Sequence, residues 1–576
     1  MPSKNESDNA LLNTKQDRQS PLQRLFVFCS IMATSLFLYV LVTFRIPDAP
    51  LSADPAYYAR TLPLAYWLGM FLSILLPLVL LQSGSMRLRI VPQLVSTVLP
   101  IMYLIGLPCF AYKNPLFTDV YGISESSEVL SSFGTTTLTG SLSYEGAFPG
   151  GLLWIAQLAQ AGDLHYLSVS KYYPLYSFVI MSVFLLLIGR RICPNYAVIA
   201  PFVQLSLMVN PHYNLVPQNL ALLLFVVLLF LLLVLFRFSS RTKFNVAAGT
   251  SMILVLCSAT VITHPGASIV AILLLFGAFL CRRRVYVTVR KSIGVLPSNL
   301  FRIVLIVSLI FCMWLMYIAT AHFEMFITIF RNMGRNLLAF ELLQFEPTGY
   351  NYNPNPVIPP VIVMIYLKAL LILALALFLV LFTLRKGRKP THLLCVLLVA
   401  VSLPNLQSFL TGAYIGRSLL YTVIVESVLV ACSTNFLDSR LVSGITDLVR
   451  SLLKTSVLTF LVLFLALVPL TSHYVDSHEY VPDSVISAES FYREKLSNDP
   501  MHSWPTFRVA YFYWSNLSSS GAVPTPGPSL VISCVLAYNF YETKQSHGEL
   551  YDEIMTNYEN TGNCVFSSGS TKIILV

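Results

Sequence analysis

Few residues in this chain are of a type that does chemistry, so those few are informative. In "NPLFTDVYG", Asn114 to Gly122, a single carboxylate, Asp119, follows an apolar run and precedes a long polar stretch. Val120 and Tyr121 follow it, so it has no close acidic partner, and the nearest acids are Glu125 and Glu128. A lone carboxylate can take a proton from a hydroxyl or orient a reacting group. It holds a divalent ion poorly, because Mg²⁺ or Mn²⁺ needs several oxygen ligands. The cations that could face an anionic substrate are Lys171, His212, His264, Arg331, Arg335 and Arg417. Arginine suits a phosphate, since its planar fork is always charged. Arg331 and Arg335, in "RNMGR", share a helix face at a four-residue spacing.

These residues need a scaffold, and the composition says which kind. Of 576 residues, 56% are hydrophobic and 11% charged, against about 25% charged in a soluble domain. Apolar runs reach the roughly 18 residues that span a bilayer. The expected fold class is an all-α polytopic membrane bundle of about 13 transmembrane helices, followed by a small α/β extracytoplasmic domain. The expected spans are near 24–45, 62–82, 91–110, 167–189, 195–210, 217–237, 245–263, 266–281, 300–321, 358–384, 391–411, 418–434 and 455–471. The runs at 195–210 and 266–281 are short for a span.

Charge patterning orients the bundle. The gaps after every second span hold Arg87 and Arg89; Arg190 and Arg191; Arg237, Arg241 and Lys243; Arg282 to Arg284; Arg385 to Lys389; and Arg440, Arg450 and Lys454. The intervening gaps are poor in Lys and Arg. By the positive-inside rule, the N-terminal tail 1–23 is cytoplasmic and the C-terminus lies outside the cell membrane. The same placement beside spans accounts for the net charge of +10 without nucleic acid as a partner. The tail 1–23 lacks the build of a cleaved signal peptide.

The transmembrane part is then 24–471, with outer loops 111–166 and 322–357 and an outer soluble domain 472–576. In the first loop, "ISESSEVLSSFG" reads as a helix along the membrane surface and "FPGGLLWIAQLAQAGD" as an apolar helix too short to cross. In the tail, Ser487–Leu496 and Glu549–Glu559 read as helices, Ser529–Tyr538 as a strand, and "NCVFSSGSTKIILV" as a hairpin turning at "SSGS". Of ten cysteines, Cys534 and Cys564 lie in this tail, where an oxidising compartment would permit a disulfide.

The order of features resembles the GT-C superfamily of polyprenyl-phosphate-sugar-dependent glycosyltransferases, particularly archaeal members. The features are an acid after an early span, a loop helix, the "FPGGLLWIAQLAQAGD" helix, and "KYYP" (Lys171–Pro174) opening a span. "NLVPQNLALLLF" is similar to that superfamily's "SPQ…AL" opening of a span, and "ITHPGASIVAILLL" to its "HP" reversal. The oligosaccharyltransferase-type "WWD" signature is missing, which argues against protein N-glycosylation. The resemblance implies a polyprenyl-phosphate sugar as donor and a glycan, lipid or protein as acceptor. It implies Asp119 as the catalytic acid or base and an inverting displacement, with a divalent cation as a possible cofactor. Arg417, Lys171, Arg331 and Arg335 are the candidates for the donor phosphate, and Glu125, Glu128, His264 and His212 are auxiliary.

Each residue also has a plainer reading. Asp119 can cap a loop helix, Arg417 can snorkel, and Lys171 can anchor at the interface. His264 can satisfy the turn before Pro265, and His212 and Gln218 can merely bracket a short link. Glu426 lies inside a span, where an ionisable group is costly and marks function or a buried partner. "GYNYNPNP", Gly349 to Pro356, reads as a sugar-stacking or a rigid interfacial loop. The competing classes are a transporter or lipid flippase, and a transferase-like protein without activity.

Overall fold

The computed structural model describes residues 21–44, 62–82, 88–111, 118–133, 147–207, 216–238, 243–288, 300–320, 322–324, 327–328, 331, 370–381, 389–411, 415–438, 530–534, 563–568 and 571–575. Up to residue 438, nearly all of these are helical. The helices are α1 (Pro21–Thr43), α2 (Leu64–Gln82), α3 (Ile90–Ala111), α4 (Thr118–Phe133), α5 (Gly150–Gly162), α6 (Tyr166–Ile192) and α7 (Ile199–Leu207). They continue with α8 (Val216–Phe238), α9 (Lys243–Thr263), α10 (Pro265–Thr288), α11 (Leu300–Tyr317), α12 (Leu370–Leu381), α13 (Lys389–Thr411) and α14 (Ile415–Asp438).

Among the described residues, five helices are long and apolar enough to cross a membrane: α1, α2, α3, α6 and α11. Six more, α8, α9, α10, α12, α13 and α14, carry apolar stretches of 10–17 residues. Within the expected span at 195–210, α7 covers Ile199–Leu207 and all of its residues are buried, while residues 208–215 lie outside the described residues. The expected span at 455–471 lies outside the described residues.

The bundle has the polarity of a lipid-solvated protein. Large apolar side chains face outward, as with Phe26, Phe37, Leu309 and Leu381, while Ser35, Ser73, Ser182, Gln204 and Thr422 are buried. In water such an outer surface would be a liability, whereas in hydrocarbon it costs nothing. Several interior hydroxyls satisfy themselves locally. Ser206 donates to the Phe202 carbonyl, and Thr434 to that of Val430, one turn back.

One interior junction fixes the first three helices. The Tyr103 hydroxyl donates to the Ser35 carbonyl at 2.5 Å, and Ser35 Oγ donates to the Gly69 carbonyl at 2.8 Å. Any Cβ at residue 69 would collide with the Tyr103 hydroxyl, so glycine is what lets the phenol through. Tyr103 sits in a π-helical turn, Met102–Gly106, directly after Pro100. Proline removes one backbone donor, which favours such a local widening.

At the C-terminal end of the chain, β1 (Leu530–Cys534), β2 (Asn563–Ser568) and β3 (Thr571–Leu575) form an antiparallel sheet in the order β1-β3-β2. The hairpin expected at "SSGS" is present, with a bulge between Cys564 and Phe566. The expected helices at 487–496 and 549–559 lie outside the described residues. The register separates Cys534 from Cys564: they pair with Thr571 and Ile574, on opposite sides of β3. Two strand spacings alone are about 10 Å. A disulfide needs Cα atoms within about 7 Å, so this sheet does not bridge its cysteines.

Candidate functional site

The features singled out in the first loop and around the spans that follow it meet at one end of the bundle, and the contacts that bring them there can be traced in order. Helix α4 packs on α5 and α6. Its Ile123 is buried in a cluster with Leu152 and Ile155 of α5, Tyr173 of α6 and Leu220 of α8. Glycine allows α5 to approach closely. A Cβ on Gly151 would stand 3.0 Å from Pro217 Cα at the start of α8. A Cβ on Gly150 would stand 2.9 Å from Thr263 Cα and 3.0 Å from the Ile262 carbonyl oxygen at the end of α9. Helix α11 reaches the same place: Trp314 Nε1 donates to the Ala147 carbonyl at 3.0 Å, and His322 meets the edge of Phe148 at 5.2 Å between ring centres. The basic residues of α6 are at its other end, where Arg190 Nη1 donates to the Leu88 carbonyl at 3.0 Å.

Asp119 lies in the first turn of α4, a helix that starts at Thr118. The sequence places it in a loop ahead of a helix beginning near Ile123; the helix starts more than a turn earlier. Thr118 at the helix start and an acid in the first turn both suit the exposed N–H groups of a helix N-terminus, which explains the extension. Asp119 is one turn before Ile123, so its backbone stands beside the α4–α5–α6–α8 cluster; its side chain lies outside the described residues. Glu125 and Glu128 are on the same helix, Glu128 exposed. The face of α4 bearing Val120, Ile123, Ser124 and Ser127 is buried in protein.

Lys171 occupies the second turn of α6 and is half-buried. Its carbonyl accepts from Cys109 Sγ at 3.3 Å, tying α6 to the end of α3, and its Nζ stands 5.2 Å from the Tyr172 ring centre. His264 Nδ1 accepts from the Ala267 N–H at 3.2 Å and caps α10. His165 caps α6 in the same way through Leu167. Arg331 is exposed. His212, Arg335 and Gly349–Pro356 lie outside the described residues.

Arg417 is the third residue of α14. Tyr421, one turn further in, meets Phe225 of α8 edge-on at 5.2 Å. Since Phe225 lies two turns along α8 from Gln218, the backbone at 417 stands near the end where α8 begins. Its side chain lies outside the described residues.

Several buried polar groups of the bundle lack partners among the described residues. Gln218 is 2% exposed, and neither its amide oxygen nor its nitrogen has a partner among the described residues. Ser170 Oγ and the Tyr173 hydroxyl are fully buried and likewise unpartnered. Tyr176 meets Tyr173 edge-on at 4.8 Å, and Trp154 of α5 packs against the same cluster. The sequence flags Gln218 through "NLVPQNLALLLF", and it flags Tyr173 only through "KYYP", where the lysine draws attention although Tyr173, two residues on, is the fully buried one. Farther along the bundle, both carboxylate oxygens of Glu426 in α14 are buried without a partner among the described residues.

Among the described residues, no group of three or more His, Cys, Asp or Glu stands together.

No family model matches the chain, and no curated protein matches it. Among solved structures it is similar to ArnT from Cupriavidus metallidurans in the apo state, with a TM-score of 0.41 and 11% identity, covering 84% of this chain and 97% of that one. It is also similar to ArnT from the same organism bound to undecaprenyl phosphate, with a TM-score of 0.42, 11% identity and the same coverage. Neither overlap is close enough to carry a role from residue to residue, so roles rest on this chain's own side chains.

Proposed function

We propose that the chain is a membrane glycosyltransferase that moves a sugar from a polyprenyl-phosphate donor to a hydroxyl of a glycan, lipid or protein acceptor at the outer face. The observation that carries this reading is the convergence of α4, α5, the start of α6 with Lys171, the start of α8 and the α9–α10 turn at one bundle end. A donor with a lipid tail and a charged head needs such a place, where apolar helices end and polar groups begin.

In this reading the Asp119 carboxylate accepts the proton of the acceptor hydroxyl. The hydroxyl oxygen bonds to the anomeric carbon as the bond from that carbon to the phosphate oxygen breaks. The electron pair leaves with the polyprenyl phosphate, and the anomeric centre inverts. Arg417, aided by Lys171, holds the phosphate as its charge grows. The test is sugar transfer by membranes carrying Asp119→Asn. A loss of about 10²–10⁴-fold is expected, the range contributed by a general base. Undiminished transfer by a correctly folded variant removes Asp119 from the mechanism.

One observation favours a transporter or flippase instead: Glu426, buried and unpartnered among the described residues within α14. Intramembrane carboxylates of that kind often mark ion pathways. Movement of a labelled lipid or solute across proteoliposomes without sugar transfer would support that alternative.

A further inference from the structure

We propose that Ser170, Tyr173 and Gln218 form a subsite for an uncharged sugar ring, beneath α5 at the outer end of the bundle. The inference rests on the transferase reading and assigns one part of its donor.

Buried polar atoms nearly always have partners, so a local concentration of orphans needs a reason. Here four side-chain atoms lack partners among the described residues: Ser170 Oγ, the Tyr173 hydroxyl, and both amide atoms of Gln218. Their residues are at most 2% exposed. Ser170 and Tyr173 are three residues apart on α6, hence on one helix face. Gln218 is in the first turn of α8, which packs against α6, and Tyr173 shares an apolar cluster with Leu220 two residues further on. Pro174 adds to the deficit, because it offers no N–H to the Ser170 carbonyl one turn back.

The chemistry of the set selects its occupant. A hydroxyl, a phenol and a carboxamide provide donors and acceptors in about equal number and no charge. A phosphate would call for cations, and an aliphatic chain would leave every one of these atoms unsatisfied. A sugar ring presents several hydroxyls that each donate and accept, on a carbon frame with apolar faces. The rings of Tyr173, Tyr176 and Trp154 supply the apolar wall for those faces. Lys171 is next to the set in sequence, and the Asp119 backbone is one turn from Ile123 in the same cluster. A subsite here therefore lies near Lys171 in sequence and near the stretch of α4 backbone that carries Asp119.

The test uses the full chain purified in detergent and three probes: undecaprenyl phosphate, the same lipid bearing glucose, and the same lipid bearing ribose. Affinities are measured by ligand-induced thermal shift and titration, with bare-lipid affinity as the reference for each variant. At least one sugar-bearing lipid is expected to bind at least about tenfold tighter than the bare lipid. Gln218→Leu and Tyr173→Phe should each cut that ratio to below about threefold. Tyr173→Phe keeps the ring and removes only the oxygen, so it decides the matter if Gln218→Leu does not fold. The subsite is overturned if neither sugar adds affinity, or if the gain survives in a folded variant, which would mean that internal water alone occupies the set. No binding of bare undecaprenyl phosphate overturns the transferase reading itself and is distinct from both.

Discussion

An alanine at Gly150 puts a methyl group where two backbones already meet. Its Cβ would stand 2.9 Å from Thr263 Cα, 3.0 Å from the Ile262 carbonyl oxygen, and closer still to Thr263 Oγ1. Two of these three atoms belong to the backbone of α9 and cannot swing aside, so α5 must back away. Overpacking of this kind costs about 1–3 kcal/mol, and the backbone contacts place this case near the top of that range. Gly150 is the first residue of α5, so alanine recovers at most about 1 kcal/mol of helix propensity, the value seen in a helix interior. The net cost is then about 2 kcal/mol, a roughly thirtyfold shift in the balance between docked and undocked α5. Gly162 is the control: a Cβ there meets only the Leu164 side chain, at 3.1 and 3.2 Å, which can move. Hydrogen–deuterium exchange over residues 150–162 in detergent reads the difference directly. Gly150→Ala should speed exchange by about an order of magnitude or more and lower sugar transfer with it, while Gly162→Ala should do neither. If exchange in Gly150→Ala is unchanged or slower, α5 is not held by this approach and the docking argument fails.

Other expectations follow from single contacts. Arg417→Ala should weaken donor binding by about 10–100-fold, the value of one or two charge-assisted hydrogen bonds, and Arg417→Lys should recover only part of it; titration with undecaprenyl phosphate checks both. Tyr103→Phe removes the donor to the Ser35 carbonyl and should cost about 0.5–1.5 kcal/mol in thermal stability, with no effect on donor affinity. Glu426→Leu relieves two unpartnered buried oxygens and should leave stability equal or higher, by up to about 3 kcal/mol. A lower melting temperature would reveal a partner for Glu426 beyond the described residues.

The sequence alone determined the class and much of the local structure. Apolar runs of bilayer length, with basic residues in alternate gaps, required a helical bundle, because lipid leaves backbone groups no other partners. The loop helices read over 123–134 and 148–163, observed at 118–133 and 150–162, and the hairpin at 563–575 were legible because periodicity, glycine, proline and turn residues act over a few positions. Asp119 was visible as a lone acid, but its place inside a helix turned on where the first turn closes. Only tertiary structure decided which groups have partners. It gave His264 a capping bond to Ala267, let Gly150 and Gly151 bring α5 against α8 and α9, and set Cys534 and Cys564 on opposite sides of a strand. It also left Ser170, Tyr173 and Gln218 buried and without partners among the described residues, on two helices well separated in the chain. Hydrogen-bond satisfaction depends on what lies within about 3 Å in space, and no local pattern encodes that.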